Sequence, residues 1–170
     1  MNRIAVKVKF LDTSALIKLF LDEQGSDRLK DYYNNHVSFC CTEMTFYEAM
    51  NVLKSRLFKS NKKNQYFESI KKLKIMGWGV TKRGKLEIEK IHITEHSIFK
   101  EVYYIAMKYD IDLADAIQLY AISNGRYWRL TGESKTVLIT ADEGLERAAQ
   151  DNNIRVWNCR KDNKPDWLDD

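Results

Sequence analysis

One stretch constrains this chain more than any other. Val6-Lys7-Val8-Lys9-Phe10-Leu11 reads as a short, apolar-rich strand that stops at Asp12. Thr13 and Ser14 then open a helix through Ala15-Leu16-Ile17-Lys18-Leu19-Phe20. In open α/β sheets, ligands bind just beyond the carboxyl ends of the parallel strands, so a carboxylate there faces a ligand crevice. Asp, Ser and Thr are also good helix N-caps, and from this stretch alone Asp12 fits either role.

The rest of the chain repeats the pattern of strand and helix. Helices are expected over Asp27–Asn35, Glu43–Phe58 and Lys62–Met76, the last two through Met44, Tyr47, Val52 and Leu53 and through Phe67, Ile70, Leu73 and Ile75. Gly77 and Gly79 end the third. Two more helices are expected, one capped by Thr94 and running to Tyr109, the other over Asp112–Ile122, closed by Asn124-Gly125. A last one covers Glu143–Asp151. Strands are expected at 37–41, 86–93, 136–140 and 154–157. Thr136-Val137-Leu138-Ile139-Thr140 has the unbroken apolar character of a strand buried on both faces. Strands alternating with helices predict an α/β fold, a three-layer α/β/α sandwich around a mostly parallel sheet. One domain is expected over residues 1–158, followed by a polar tail, 159–170, which holds the only proline.

Composition excludes several classes. At 44% hydrophobic and 31% charged residues the chain is globular rather than disordered. No run approaches the ~20 apolar residues of a membrane span, and no apolar leader of the secretory type opens the sequence. Three cysteines, two of them adjacent, make no disulfide framework, which suits a reducing, cytoplasmic setting. Charge is uneven: residues 54–90 hold twelve Lys or Arg and three acids, or +9, and leave −5 for the remainder. Such asymmetry points to a face for a polyanion, and a solvated helix face gives the same pattern.

A second strand-end acid now matters. Asp142 follows strand 136–140 as Asp12 follows strand 1. Asp115 lies in the first turn of its helix, three residues after Asp112, which is expected to serve as the N-cap. Glu48 sits mid-helix among apolar neighbours. Carboxylates gathered without basic partners repel one another, and a hard divalent cation resolves that repulsion through oxygen ligands. His92 and His96 have i, i+4 spacing, but Thr94 between them breaks the helix. Asp12-Thr13-Ser14 lacks the second acid, two residues on, that haloacid dehalogenase phosphatases need.

Four stretches in order resemble the PIN-domain family of metal-dependent ribonucleases, especially the VapC-like toxins of toxin–antitoxin pairs. They are Phe10–Phe20, Thr42–Leu53, Asp110–Ala121 and Leu138–Asp142. The resemblance implies Asp12, Glu48, Asp115 and Asp142 as catalytic and metal-holding acids, with Thr13 and Thr140 as supporting hydroxyls. It implies Mg²⁺ or Mn²⁺ as cofactor, RNA as substrate, a homodimer and, for a toxin, an antitoxin protein as partner. A catalytically silent RNA-binding or scaffold module on the same fold is the alternative. Two features depart from the compact toxins: the lysine-rich helical region 54–90 and the extended loop 126–134. Lys62, Lys63, Lys71 and Lys72 are expected to meet phosphates, and Arg126, Trp128 and Arg129 to meet unpaired bases and phosphates. If the acids form a pocket, neutralising Asp12 relieves repulsion and leaves the metal-free fold no less stable.

Overall fold

The computed structural model describes residues 7–79, 86–128 and 136–168. The apolar strands pair as expected. β1 (Val8–Leu11), β2 (Phe39–Thr42), β3 (Glu87–Glu89), β4 (Thr136–Thr140) and β5 (Arg155–Asn158) form one sheet in the order β3-β2-β1-β4-β5, every pairing parallel. β1 is flanked by β2 and β4, with Leu11 opposite Ile139. The chain winds outward to one side through β2 and β3, then to the other through β4 and β5. The reversal between β1 and β4 is the topological switch point, where such sheets bind ligands at the carboxyl ends of their strands.

Alternate side chains of β1 point to opposite faces, and each face has its own core. Leu11, Cys41, Val137 and Ile139 pack beneath α1 (Thr13–Leu16), α2 (Ser26–Asn35), α3 (Glu43–Lys59) and α4 (Lys63–Trp78). Val8, Phe10, Cys40 and Leu138 pack beneath α5 (His96–Tyr109), α6 (Leu113–Asn124) and α7 (Glu143–Asp151). The result is the expected three-layer α/β/α sandwich, with all five residues of β4 buried. Among the described residues no helix is long and apolar enough to cross a membrane.

Several boundaries differ from expectation. The helix after Asp12 splits into α1 and a 3-10 turn, Ile17–Leu19. β3 is three residues long, because it pairs only with β2 at the sheet edge. α5 begins at His96, two residues beyond Thr94. α4 buries Ser69 and Leu73 while Phe67 and Ile75 stay exposed, and α3 turns Met44 and Tyr47 outward and buries Phe46, Ala49 and Leu53. Gly77 lies inside α4, and Gly79 caps it. The segment after β5 docks on the body: Cys159 and Leu168 are buried in the first core.

Candidate active site

The sheet brings Asp12 and Asp142 to one edge. Each caps the helix that follows its strand: Asp12 Oδ1 accepts from the Ala15 N–H at 2.7 Å, and Asp142 Oδ1 from the Leu145 N–H at 2.8 Å. For Asp12 the cap role therefore holds, at the carboxyl end of β1 where a crevice acid is also expected.

The other oxygen of Asp12 is held just as firmly. Oδ2 accepts from Ser14 Oγ at 2.7 Å and from Thr140 Oγ1 at 2.8 Å. Each hydroxyl in turn accepts a backbone N–H from the end of β4: Ala141 N donates to Ser14 Oγ at 2.7 Å, and Asp142 N to Thr140 Oγ1 at 2.9 Å. Backbone donors of one strand thus orient the carboxylate of another. Asp12 is only 3% exposed. Burial pushes its carboxyl up to about 6 against the pull of these hydrogen bonds, and the charge of Asp142 adds to the rise.

Glu48 projects from α3, half-buried, with Oε2 accepting from Thr13 Oγ1 at 2.7 Å. Asp115 sits in the first turn of α6, beneath the Asp112 cap, whose Oδ1 accepts the Asp115 N–H at 2.9 Å. The Asp115 carboxyl is pushed up to about 8, first by burial, then by the charges of Asp112, Asp12, Asp142 and Glu48. Asp115 thus feels the charges of Asp12, Asp142 and Glu48 together. Asp142 is exposed at the rim.

Three residues had no counterpart among the site residues expected from sequence: Ser14, Thr45 and Gln118. Ser14 supplies half of the grip on Asp12 Oδ2. Thr45 and Gln118 form a buried bridge, Thr45 Oγ1 donating to Gln118 Oε1 at 3.0 Å. Thr45 precedes Glu48 by three residues and Gln118 follows Asp115 by three, so the bridge fixes α3 against α6 about one turn from each acid. Neither has a local sequence signal, because the partners are 73 residues apart.

The residues expected to bind RNA are scattered. Lys62, Lys63, Lys71 and Lys72 are exposed on and just before α4. Arg126 is paired with Glu87 and lies over the Tyr127 ring, while Trp128 is half exposed. Arg129 lies outside the described residues. Glu89 ties the turn to the sheet edge, accepting the Arg126 N–H at 2.5 Å.

All four site acids offer hard oxygen donors. Among the described residues no three His, Cys, Asp or Glu groups are gathered tightly enough to hold an ion in this arrangement. Carboxylate oxygens are the donors that a hard divalent cation takes, and the arrangement is not a closed cage.

An open parallel sheet with acids at its switch point and helices on both faces is the frame of an α/β domain that binds its ligand at that edge. The PIN domain family model matches residues 9–151, and the chain belongs to that family, whose members are generally metal-dependent nucleases acting on RNA. No curated protein matches significantly. Seven solved chains do. Among them is the crystal structure of PAE2754 from Pyrobaculum aerophilum, 17% identical, with a TM-score of 0.49, covering 85% of this chain and 86% of that one.

Proposed function

We propose that the protein is an endoribonuclease that hydrolyses RNA phosphodiester bonds with Mg²⁺ or Mn²⁺. The observation that carries this is the gathering of Asp12, Glu48, Asp115 and Asp142 at the carboxyl edge of the sheet, where the Asp115 carboxyl is raised to about 8, first by burial and then by the charges of Asp112, Asp12, Asp142 and Glu48. Such a set of acids is costly in a metal-free fold and is relieved by a cation. Asp12, Glu48 and Asp115 would hold the ion, and Asp142, at the rim, would hold a second ion or orient water. A bound divalent ion supplies charge neutralisation at the phosphodiester and a hydroxide source near neutral pH. Thr13, Ser14 and Thr140 keep Glu48 and Asp12 in place before any ligand arrives, so little reorganisation is needed on binding.

The reading extends to a toxin of a toxin–antitoxin pair, opposed by an antitoxin protein, and to a homodimer. Exposed Phe99, Tyr103 and Met107 recur every four residues along one face of α5, an apolar stripe of the sort that helices bury against a second copy.

The test is cleavage of mixed-sequence RNA by purified protein, with and without metal. Asp12→Asn, Glu48→Gln and Asp115→Asn should each lower the rate about 100-fold or more, while Asp112→Asn keeps most of it. Full activity in chelator, or in Asp12→Asn, refutes the assignment. Growth arrest on expression, relieved by a neighbouring small reading frame, tests the toxin role.

A further inference from the structure

Next to the residues that hold Asp12 lies an open cleft of about 300 Å³ lined in part by Ser14, Lys18, Gln24, Arg56 and Arg160. It shares a wall with the site. Ser14 and Ala141 both line it, and their hydrogen bonds hold Asp12 from this side.

The charge of the cleft opposes that of the acid edge. Lys18, in the 3-10 turn after α1, is 4% exposed. A buried ammonium is costly unless it is paired, and its partner is Glu23, 3.2 Å away. Glu23 is not its alone, because the other carboxylate oxygen is taken by Arg56 from α3. Arg160 completes the ring. Its backbone is fixed from two sides: its carbonyl accepts from Arg28 at 2.9 Å and its N–H donates to Asn158 Oδ1 at 3.1 Å. Lys18 and Arg56 thus share one acid, Arg160 adds a third cation, and the lining carries an excess of two positive charges. Burial, then Arg160 and Arg56, hold the Lys18 amine below its ordinary range, as expected of a cation in a positive field. Two guanidiniums beside an ammonium match a phosphate, which accepts paired N–H bonds. The volume is at the low end for small-ligand sites.

We propose that this cleft is a phosphate subsite: it holds the RNA backbone phosphate next to the one presented to the acids, and so sets which linkage is cut. The proposal rests on the nuclease reading above. Ser14 and Ala141 belong both to the cleft and to the hydrogen bonds that hold Asp12, so a strand anchored by one phosphate on Lys18, Arg56 and Arg160 carries a neighbouring linkage past the acid edge. The acids alone repel a polyanion, and the cleft supplies the attraction they lack.

The probe is a short RNA carrying one uncharged methylphosphonate linkage, walked along the strand. With wild type in Mn²⁺, one position at a fixed offset from the cut should raise KM about 10-fold, the loss of a charge-assisted hydrogen bond, with kcat little changed. Arg56→Ala/Arg160→Ala, at two surface positions, should show that loss on all-phosphate RNA and lose nothing more when the same linkage is neutral. Lys18→Met provides a second variant with the same expected pattern. Unchanged KM in the variants, or effects that multiply at every linkage, overturn the proposal. The same oligonucleotides are titrated by fluorescence anisotropy in chelator, where cleavage is not needed. A charged-linkage preference that disappears in the double variant supports the cleft even if the protein cuts nothing, in which case only the nuclease reading fails. Equal affinities across all linkages overturn it. Competition by inorganic phosphate without any linkage effect assigns the cleft to a free anion and also overturns it.

Discussion

Asp115→Asn offers the sharpest test of the acid pocket, because it needs no substrate. In the metal-free protein the Asp115 carboxyl titrates at about 8, against an ordinary 3.8. The folded state therefore binds its proton more tightly than the unfolded chain does. Stability falls as pH rises from about 4 through about 8, and the full cost stands above that range. Taken whole, a shift of this size converts to roughly 6 kcal/mol. Asp115 is half-buried, and solvent screening reduces that to about 1–3 kcal/mol. Asparagine keeps the shape and cannot ionise, so it removes this cost. It also removes an acid from the first turn of α6, where the helix dipole favours negative charge by about 0.3–1 kcal/mol, so relief of burial and repulsion wins by roughly 1–2 kcal/mol. In chelator at pH 9 the variant should melt higher by about 2–8 °C for a chain of this size. The gap should shrink towards zero near pH 4. Scanning calorimetry across that range reads it directly. Millimolar Mn²⁺ should then raise the wild-type midpoint, since a ligand of the folded state stabilises it by about 2.7 kcal/mol at 100 times its Kd, and raise the variant much less. A variant that melts at or below wild type at pH 9, or a gap that ignores pH, refutes the reasoning.

Asp12→Asn should behave oppositely and be less stable by about 1–3 kcal/mol, which reverses the expectation from sequence. With its oxygen kept on the Ala15 N–H, the amide turns an NH₂ on the Ser14 and Thr140 hydroxyls, which now donate to Asp12 and must turn round to accept, and this loss outweighs relief of the burial that raises the Asp12 carboxyl. Urea unfolding in chelator checks it. Reversing Lys62, Lys63, Lys71 and Lys72 to Glu should weaken RNA binding and make the slope of log K against log salt shallower by about one for each phosphate no longer neutralised; unchanged slope leaves α4 as a solvated face. Gly25→Ala should destabilise by about 2 kcal/mol or more, read as a lower urea midpoint at constant slope. Gly25 has φ +86°, and an added Cβ would lie 2.1 Å from the Cys159 carbonyl oxygen.

What could be read from sequence was what the sequence holds locally. An apolar run ending at an acid announces both a strand and the side chain at its end, and parallel winding then places Asp12 and Asp142 on one edge. Asp112 was legible as a cap for the same reason: its signal spans three residues. The face of α4 was not. That helix packs chiefly against α3, so only a narrow stripe around Ser69 and Leu73 is covered, and Phe67 and Ile75 are left outside. The Thr45–Gln118 bridge and the ring of Lys18, Arg56 and Arg160 join residues from distant segments. In the sequence they are single polar residues with no period, and only the fold makes them neighbours.

The two kinds of acid at the edge suggest a division of labour that the hydrogen bonds explain. Asp12 has both oxygens committed to three donors, and two of those donors are themselves pinned by β4 backbone. It cannot turn without breaking a cap and unseating two hydroxyls. Glu48 is tethered through one oxygen to Thr13, and no bond to the Asp115 carboxylate is present among the described residues. An ion that keeps most of its waters demands near-ideal octahedral angles, which a fully rigid set of acids would meet only by chance. One fixed carboxylate would set where a bound ion lies, and freer ones would adjust to its geometry. On this argument, truncating the holders of Asp12, as in Ser14→Ala or Thr140→Val, should cost metal affinity about 10–100-fold, while Thr13→Val, which frees only Glu48, costs less. Mn²⁺ titration followed by thermal shift ranks the three, and an affinity loss in Thr13→Val equal to that in Thr140→Val would show that no single acid sets the position of the ion.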